Sequence, residues 1–388
     1  MNSLPIPSLE LQVQSQQLAN LIQQKIKQAG GWVDFATFMH MALYTPGLGY
    51  YSGGARKFGM GGDFVTAPEI SPLFAKTLAL QAAQILARSH GDDFTSNILE
   101  LGAGTGKLAA DLLLELQQLN PLPKQYFILE VSDYLRQIQR ETLHKKLPPE
   151  LFNRVVWLET LPQDFTGLII GNEVLDAIPV HLVRHTSQGL LERGVTFDKE
   201  FVWQDKRLEA GSLCDLVSAY SLPNDYLTEV CPMAIALINS LSNMLKKGVI
   251  LMLDYGFSAR EYYHPQRDQG TLMCHYQHYA HSDPLINVGL QDITAHVNFT
   301  AIAEAAVGHG LQLSGYCTQA QFLMNCGMLN ILAKVSPSDM AAYAPLAAAA
   351  QKLLSPAEMG ELFKVIALSR GVEIELLGFK SGDKAHTL

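Results

Sequence analysis

No apolar run in this 388-residue chain approaches the roughly 20 residues that a membrane-spanning helix needs, so insertion into a bilayer is not expected. Charge is scarce as well. Asp, Glu, Lys and Arg make up 17% of the residues, and the formal net charge of −9 argues against the basic face that a nucleic-acid binder needs. A mildly acidic chain does suit a cationic substrate. The five cysteines (Cys214, Cys231, Cys274, Cys317 and Cys326) are odd in number and contain no C-x-x-C pair. That pattern speaks against a disulfide framework and a thiolate zinc site, and for free thiols in a reducing cytoplasm. Residues 1–28 lack an apolar h-region and early arginines, so they resemble neither a secretory signal nor a transit peptide; a cytoplasmic location is expected. What the chain has in quantity is apolar residues, 48% of the total, enough for one large core or two domains.

No internal repeat interrupts the pattern. Leu18, Leu21, Ile22 and Ile26 predict a helix over residues 8–29 that stops at Gly30-Gly31. A second helix over Phe35–Leu43 leads into a glycine-rich stretch, Tyr44–Pro68, whose aromatics predict an ordered loop. Ser71 and Pro72 suit the start of a helix running to about Arg88. Strands then alternate with helices: Ile98–Leu101, Tyr126–Val131, Val155–Leu158 and Leu168–Gly171 as strands, Leu108–Leu119 and Asp133–Lys145 as helices. Short apolar strands in such alternation predict an α/β fold with a buried parallel sheet. Val180–Leu208 breaks the rhythm with three β-runs, read as a meander inserted in the sheet domain. Beyond it the pattern predicts a helix over Pro232–Lys247, a strand Val249–Asp254 and a helix Phe299–Gly308. A strand Leu311–Cys317, helices over roughly 320–370 and a last strand at Val372–Phe379 complete the reading. The segments are therefore 1–88 (helices and covering loop), 89–179 (first part of the sheet domain), 180–210 (meander) and 211–388 (its remainder, with a helical insertion).

The chemistry starts at Ile98-Leu99-Glu100-Leu101-Gly102-Ala103-Gly104-Thr105-Gly106-Lys107-Leu108, an apolar strand running into three alternate glycines and then a helix. Glycine lets the backbone turn sharply and lets a ligand lie against it without a Cβ clash, and the helix start adds exposed N–H groups. The dinucleotide pattern fails, because its third glycine would fall at Lys107. A phosphate-binding loop fails too, because Leu101 and Leu108 stand where it needs Gly and Ser or Thr. The spacing E-x-G-x-G-x-G instead resembles the first motif of class I methyltransferases, which bind S-adenosylmethionine, a cofactor without phosphate. Glu130 closes the next strand, where a carboxylate accepts both ribose hydroxyls of a nucleoside; dinucleotide enzymes use the same device, so it does not discriminate alone. Glu159, after the third strand, is a candidate for the adenine edge or a solvated loop charge.

Five stretches resemble the MidA-type methyltransferases, a family that includes the mitochondrial complex I assembly factor. They are Gly62–Phe74, the glycine turn, Gly171–Ala177, Leu253–Phe257 and Gln291–Phe299, and the resemblance spans roughly residues 40–380. It implies a doubly wound, seven-stranded Rossmann-like sheet that binds S-adenosylmethionine and releases S-adenosylhomocysteine. It also implies methylation of an arginine on a protein partner, a respiratory complex I subunit being the family precedent.

A guanidinium is protonated and delocalised, so its methylation needs carboxylates that hold it by paired hydrogen bonds. Asn172-Glu173-Val174-Leu175-Asp176 supplies them just past the fourth strand, at the edge where doubly wound sheets bind ligands. Glu173 and Asp176 are expected to face the substrate and Asn172 the cofactor; the alternative is a structural Glu173 with Asp176 capping the following turn. In Asp292–Phe299 polar and apolar residues alternate, so Asp292, Thr294, His296 and Asn298 would share one face. His296 is then a candidate to orient a carboxylate; taken singly, a satisfied structural histidine is the alternative and the preferred reading. Asp63, Phe64 and Thr66 are read as a loop folding over the cofactor. Cys274, His275, His278 and His281 tempt a metal reading, but on a helix their spacing drifts around the axis, and no metal is expected. The cofactor contacts are thus Asp63, Thr66, Glu100, Gly102, Ala103, Gly104, Gly106, Glu130, Glu159 and Asn172; the catalytic set is Glu173, Asp176 and His296. Another methyl acceptor, or a cofactor-binding assembly protein without catalysis, are the rival readings.

Overall fold

Apolar runs that alternate with amphipathic helices assemble into a parallel sheet when both faces must be covered, and residues 97–370 do so. A computed structural model describes residues 4–53, 66–89 and 96–388. Its main sheet has seven strands, labelled in chain order: β1 (Asn97–Leu101), β2 (Tyr126–Leu129), β3 (Val155–Leu158), β4 (Phe165–Asn172), β5 (Leu245–Phe257), β6 (Gln312–Thr318) and β7 (Phe363–Arg370). The order across the sheet is β3-β2-β1-β4-β5-β7-β6. All neighbours are parallel except at β7, which runs antiparallel to both β5 and β6. Val297–Asn298 adds a short parallel pairing at the end of β5. The strand order reverses between β1 and β4, and ligands of open α/β sheets bind outside the carboxyl ends at such a point.

The chain divides into two units that do not follow chain order. One comprises Val65–Leu175, Leu237–Ala259 and Val297–Leu388, and holds the whole main sheet. One core cluster joins a single face of the strands (Ile98, Leu168, Ile170, Val249, Leu251 and Val365 among others) to the helices Pro72–Ser89 and Lys107–Leu119. Leu108, Leu112 and Leu116 are buried on the latter helix as their spacing requires.

The second unit comprises Met1–Phe64, Asp176–Ala236 and Arg260–His296. The predicted meander lies here, as strands His181–Thr186, Gly189–Asp198 and Glu200–Arg207, joined by Val33–Asp34 and Tyr226–Val230 into a five-stranded antiparallel sheet. Leu18, Ile22 and Ile26 of the helix Leu9–Gln28 and Phe35 and Phe38 of Phe35–Tyr44 share a core with Leu182 and Val195 of that sheet. Asp34 starts the shorter helix, its Oδ1 accepting the Thr37 N–H at 2.7 Å.

Two expectations are corrected. The last strand is Phe363–Arg370, not Val372–Phe379, and the helical insertion ends at Leu354. The pairing partner decides: residues 363–370 match β5 in register from Tyr255↔Phe363 to Gly248↔Arg370. The Cys274–His281 stretch forms a β-hairpin, Met273–Tyr276 with Tyr279–His281. Gln277 and His278 both take positive φ (47° and 67°), which is the primed turn that two-residue hairpins favour.

Candidate active site

β1 leads into the glycine turn. Gly102, Gly104 and Gly106 have φ of 60°, 52° and 81°, all in the left-handed region that other residues enter at a cost of about 1–2 kcal/mol. The three glycines do different things. A Cβ at Gly106 would meet the Cα of Gln139 at 3.2 Å, so that glycine lets helix Lys107–Leu119 begin against its neighbour. A Cβ at Gly102 would meet Val174 Cγ2 at 3.3 Å. At Gly104 it would meet nothing within 4 Å among the described residues, so the backbone there is open to a ligand on their side. Thr105 is fixed from outside the turn, its hydroxyl donating to Glu69 Oε1 at 2.5 Å.

Glu130 follows β2 and is 4% exposed. Its Oε1 accepts the Ser132 N–H at 2.9 Å and its Oε2 the Gln139 amide at 3.0 Å. Burial pushes its carboxyl above the usual range, against the Ser132 N–H and Gln139, which favour the charged form. Gln139 is the hub of this corner: the same Nε2 donates to the Gly104 carbonyl at 3.1 Å, and its Oε1 accepts the Trp157 indole N–H at 3.0 Å. Arg136 ties β2 to β3 by donating to the carbonyls of Glu130 and Leu158, at 2.7 and 3.0 Å. Beside Glu130, Val131 is 77% exposed, an apolar side chain bare at the sheet edge. None of Glu69, Gln139, Arg136 or Val131 was singled out by the sequence reading. A polar residue at helical spacing carries no mark of what it will face, although a lone Val after a strand-ending acid was a usable signal.

The remaining predicted cofactor residues are less uniform. Ala103 is buried, Thr66 is half-buried ahead of the helix Ala67–Ile70, and Glu159 is exposed after β3. Glu100 points into the sheet, where its Oε2 accepts the Tyr126 hydroxyl at 2.7 Å. Burial raises its acid from 4.5 to about 7, with the Tyr126 hydrogen bond opposing and Glu130 adding to the shift. Asp63 and Phe64 lie outside the described residues.

The neighbouring strand β4 ends in the second turn. Asn172 Oδ1 is buried without a hydrogen-bond partner among the described residues, while its Nδ2 donates to Glu173 Oε1 at 3.1 Å. That same oxygen lies 3.4 Å from the Ala67 N–H. Glu173 itself has φ 54°, a conformation that a non-glycine residue holds only under restraint. The pairing Leu101↔Gly171 sets this turn one strand away from the glycine turn.

The unit boundary falls between Leu175 and Asp176, so Asp176 and His296 belong to the antiparallel-sheet unit and Glu173 does not. Asp176 is buried, and its carbonyl accepts the Ala295 N–H at 3.0 Å. In its surroundings Tyr51 donates to Asp292 Oδ1 at 2.8 Å and stacks on Tyr44. Burial first, then the charges of Asp292 and Asp176, raise the Tyr51 phenol well above its ordinary value. His296 is half-buried and its N–H donates to Thr271 Oγ1 at 3.0 Å. The expected alternation holds in part: Ile293, Ala295, Val297 and Phe299 are buried, but so is Asp292. Asn298 caps the helix Phe299–Gly308.

One group among the described residues brings metal-ligand atoms within 4.8 Å of one another: Asp34, His181 and Glu192. Their atoms serve the fold, Asp34 as the helix cap and His181 Nδ1 at 2.6 Å from Glu192 Oε1.

Residues 77–317 match the family described as "Putative S-adenosyl-L-methionine-dependent methyltransferase". The chain belongs to this family. The mouse protein named protein arginine methyltransferase NDUFAF7, mitochondrial, is 30% identical over 89% of this chain and 83% of its own length. Its human counterpart of the same name is 29% identical over 89% and 82%. A Burkholderia thailandensis protein solved with bound S-adenosyl-homocysteine is 49% identical, with a TM-score of 0.95 and full coverage of both chains. The chain is thus an S-adenosylmethionine-dependent methyltransferase with the α/β fold of that structure. Among the described residues, the space at Gly104, the buried Glu130 carboxylate and the Asn172 oxygen without a partner fit a nucleoside with hydroxyl and amino donors.

Proposed function

We propose that this methyltransferase modifies an arginine nitrogen on a protein partner, with Glu173 as the carboxylate that receives the guanidinium. The observation that carries the reading is the Glu173 turn: a carboxylate held at φ 54° past β4, one strand from the glycine turn. The names of the mouse and human relatives, both protein arginine methyltransferases, support the substrate class. Bound S-adenosylmethionine supplies an electrophilic methyl group, for which in-line placement of the acceptor is the main requirement. Gly102, Gly104 and Gly106 allow the cofactor close to the backbone, Glu130 accepts its ribose hydroxyls, and Asn172 accepts an N–H. Glu173 accepts N–H bonds from the guanidinium, concentrates its charge on the non-reacting nitrogens, and takes the proton released on methylation. The cytoplasm is the proposed site of action, and a core subunit of respiratory complex I is the first partner to test.

The test is mass spectrometry of proteins from cells with and without this gene, read for monomethyl- and dimethylarginine. Loss of the modification at one arginine, restored by the wild-type gene and not by one encoding Glu173→Gln, supports the reading. An unchanged arginine-methylation profile would remove the substrate class and leave the methyltransferase activity standing.

A further inference from the structure

A residue remote in sequence from both turns holds the second one in shape. Asp254 lies near the end of β5, the strand beside β4 in the sheet, and is 1% exposed. Its Oδ2 accepts two consecutive backbone N–H groups, Val174 at 3.0 Å and Leu175 at 2.8 Å, while its Oδ1 accepts the N–H of Tyr255 at 2.9 Å. The preceding residue completes the clamp, because the Glu173 N–H donates to the Leu253 carbonyl at 2.9 Å. Three successive amides, 173 to 175, are therefore held by Leu253 and Asp254, while Glu173 sits between them in the left-handed region.

We infer that Asp254 is a positioning residue for methyl transfer: its carboxylate anchors the Val174 and Leu175 amides and so fixes where the Glu173 carboxylate stands. The physical case is one of geometry and charge. A carboxylate buried in a strand is costly unless N–H groups answer it, and here backbone donors do. The carboxylate has oxygens enough for all of these donors, which no neutral side chain of its size can match. In Asp254→Asn the amide oxygen can serve Val174 and Leu175 only if the NH2 group is turned toward the Tyr255 N–H, donor against donor. The turn then loses its anchor with almost no change in volume. The hydrogen bonds from Asp254 run to the amides of Val174, Leu175 and Tyr255 and to none of the glycine turn or Glu130, so cofactor binding is expected to change less than transfer.

The inference rests on Glu173 carrying the transfer, and the experiment separates the two. Tritiated methyl transfer from S-adenosylmethionine to an extract of the source cells lacking this gene is followed as methylarginine, alongside calorimetric binding of S-adenosylhomocysteine. Asp254→Asn is expected to lower kcat about 50-fold and Asp254→Ala further, with affinity for the cofactor product within about 3-fold of wild type. The double variant Asp254→Asn/Glu173→Gln is expected to be no slower than Glu173→Gln alone, because a residue that acts through Glu173 has nothing to position once it is gone. Multiplying losses, or loss of cofactor affinity together with kcat, would overturn the inference. A fully active Glu173→Gln would overturn the arginine reading first, and this inference with it. Should the Asp254 variants not fold, hydrogen exchange on the wild-type protein decides: the Val174 and Leu175 amides are expected to exchange as slowly as those inside β5. Exchange at loop rates would show that no anchor exists.

Discussion

Beyond β1 the chain enters the left-handed region at Gly102, Gly104 and Gly106, whereas beyond β4 it does so at Glu173. The first turn obtains its shape from residue type, since glycine has no Cβ to clash and any sequence with glycines there can adopt it. The second turn must present a side chain, so glycine is excluded and the shape has to be imposed. Imposing it costs about 1–2 kcal/mol, which charge-assisted hydrogen bonds such as those of Asp254, each worth about 1.5–3 kcal/mol, offset. A binding surface built from backbone can rely on local sequence, and one built around a reacting side chain relies on the rest of the fold.

The sharpest way to break this contrast is at Glu173. Glu173→Gln is expected to reduce transfer about 1,000-fold, or about 4 kcal/mol, with binding of S-adenosylhomocysteine unchanged. Glu173→Gly is expected to be equally inactive but more stable than Glu173→Gln by about 1 kcal/mol, because glycine relieves the imposed conformation. Urea unfolding of the two variants checks this; if the glycine variant is the less stable, Glu173 is not strained and the comparison fails.

The strand behind the glycine turn provides the next test. Burial holds the Glu100 acid at about 7 in the folded chain, against 4.5 ordinarily. The folded state therefore keeps a proton that the unfolded chain releases, so the stability from Glu100 is complete below about pH 4.5 and is lost as pH rises through 7. Glu100→Gln keeps an acceptor for Tyr126 and cannot ionise. Its stability relative to wild type is expected to increase by on the order of 2 kcal/mol between about pH 5 and pH 8. Parallel stability curves for the two proteins would show that Glu100 does not hold its proton.

What could be read from the sequence follows the same division. The alternation of strands and helices, the glycine spacing and Glu130 are local signals, and the structure puts them on one unit, with Glu130 beside the glycine turn. Gln139 was not singled out, and Asp254 stood only within the Leu253–Phe257 resemblance without a role, because each matters through a partner far along the chain: Gln139 meets Gly104 across 35 residues and Asp254 meets Val174 across 80. Residues 363–370 escaped because Lys364 interrupts the apolar run, and the strand is revealed only by its register with β5. The hairpin at Gln277-His278 lacks the Asn-Gly or Asp-Gly pair that announces a primed turn.

Within the glycine turn, residue type should act in two separable ways. Gly104→Ala fills the open space above the backbone and is expected to weaken S-adenosylhomocysteine binding about 30-fold, with folding stability lowered by about 1–2 kcal/mol. Gly106→Ala presses on the Gln139 backbone instead, so it should unfold more easily while the folded fraction binds nearly as well as wild type. Calorimetry and thermal unfolding on both variants decide, and equal effects at the two positions would mean that the turn has no ligand-facing side.

The smallest expected effect probes a place where the glycine turn does borrow from afar. Gln139 links the Gly104 carbonyl, Glu130 Oε2 and the Trp157 indole through a single buried amide. Gln139→Leu roughly keeps the volume and removes every bond of the amide, leaving the Glu130 carboxylate held by the Ser132 N–H on one oxygen only; cofactor-product affinity should fall about 10-fold, or about 1.4 kcal/mol. Trp157→Phe removes only the outermost donor and should cost about 2- to 3-fold. If both variants bind as wild type, Glu130 is oriented by the Ser132 N–H alone, and the glycine corner owes nothing to Gln139. If instead Gln139→Leu costs as much as Gly104→Ala, imposed geometry matters equally at both turns, and the contrast between them reduces to where the imposing residue sits.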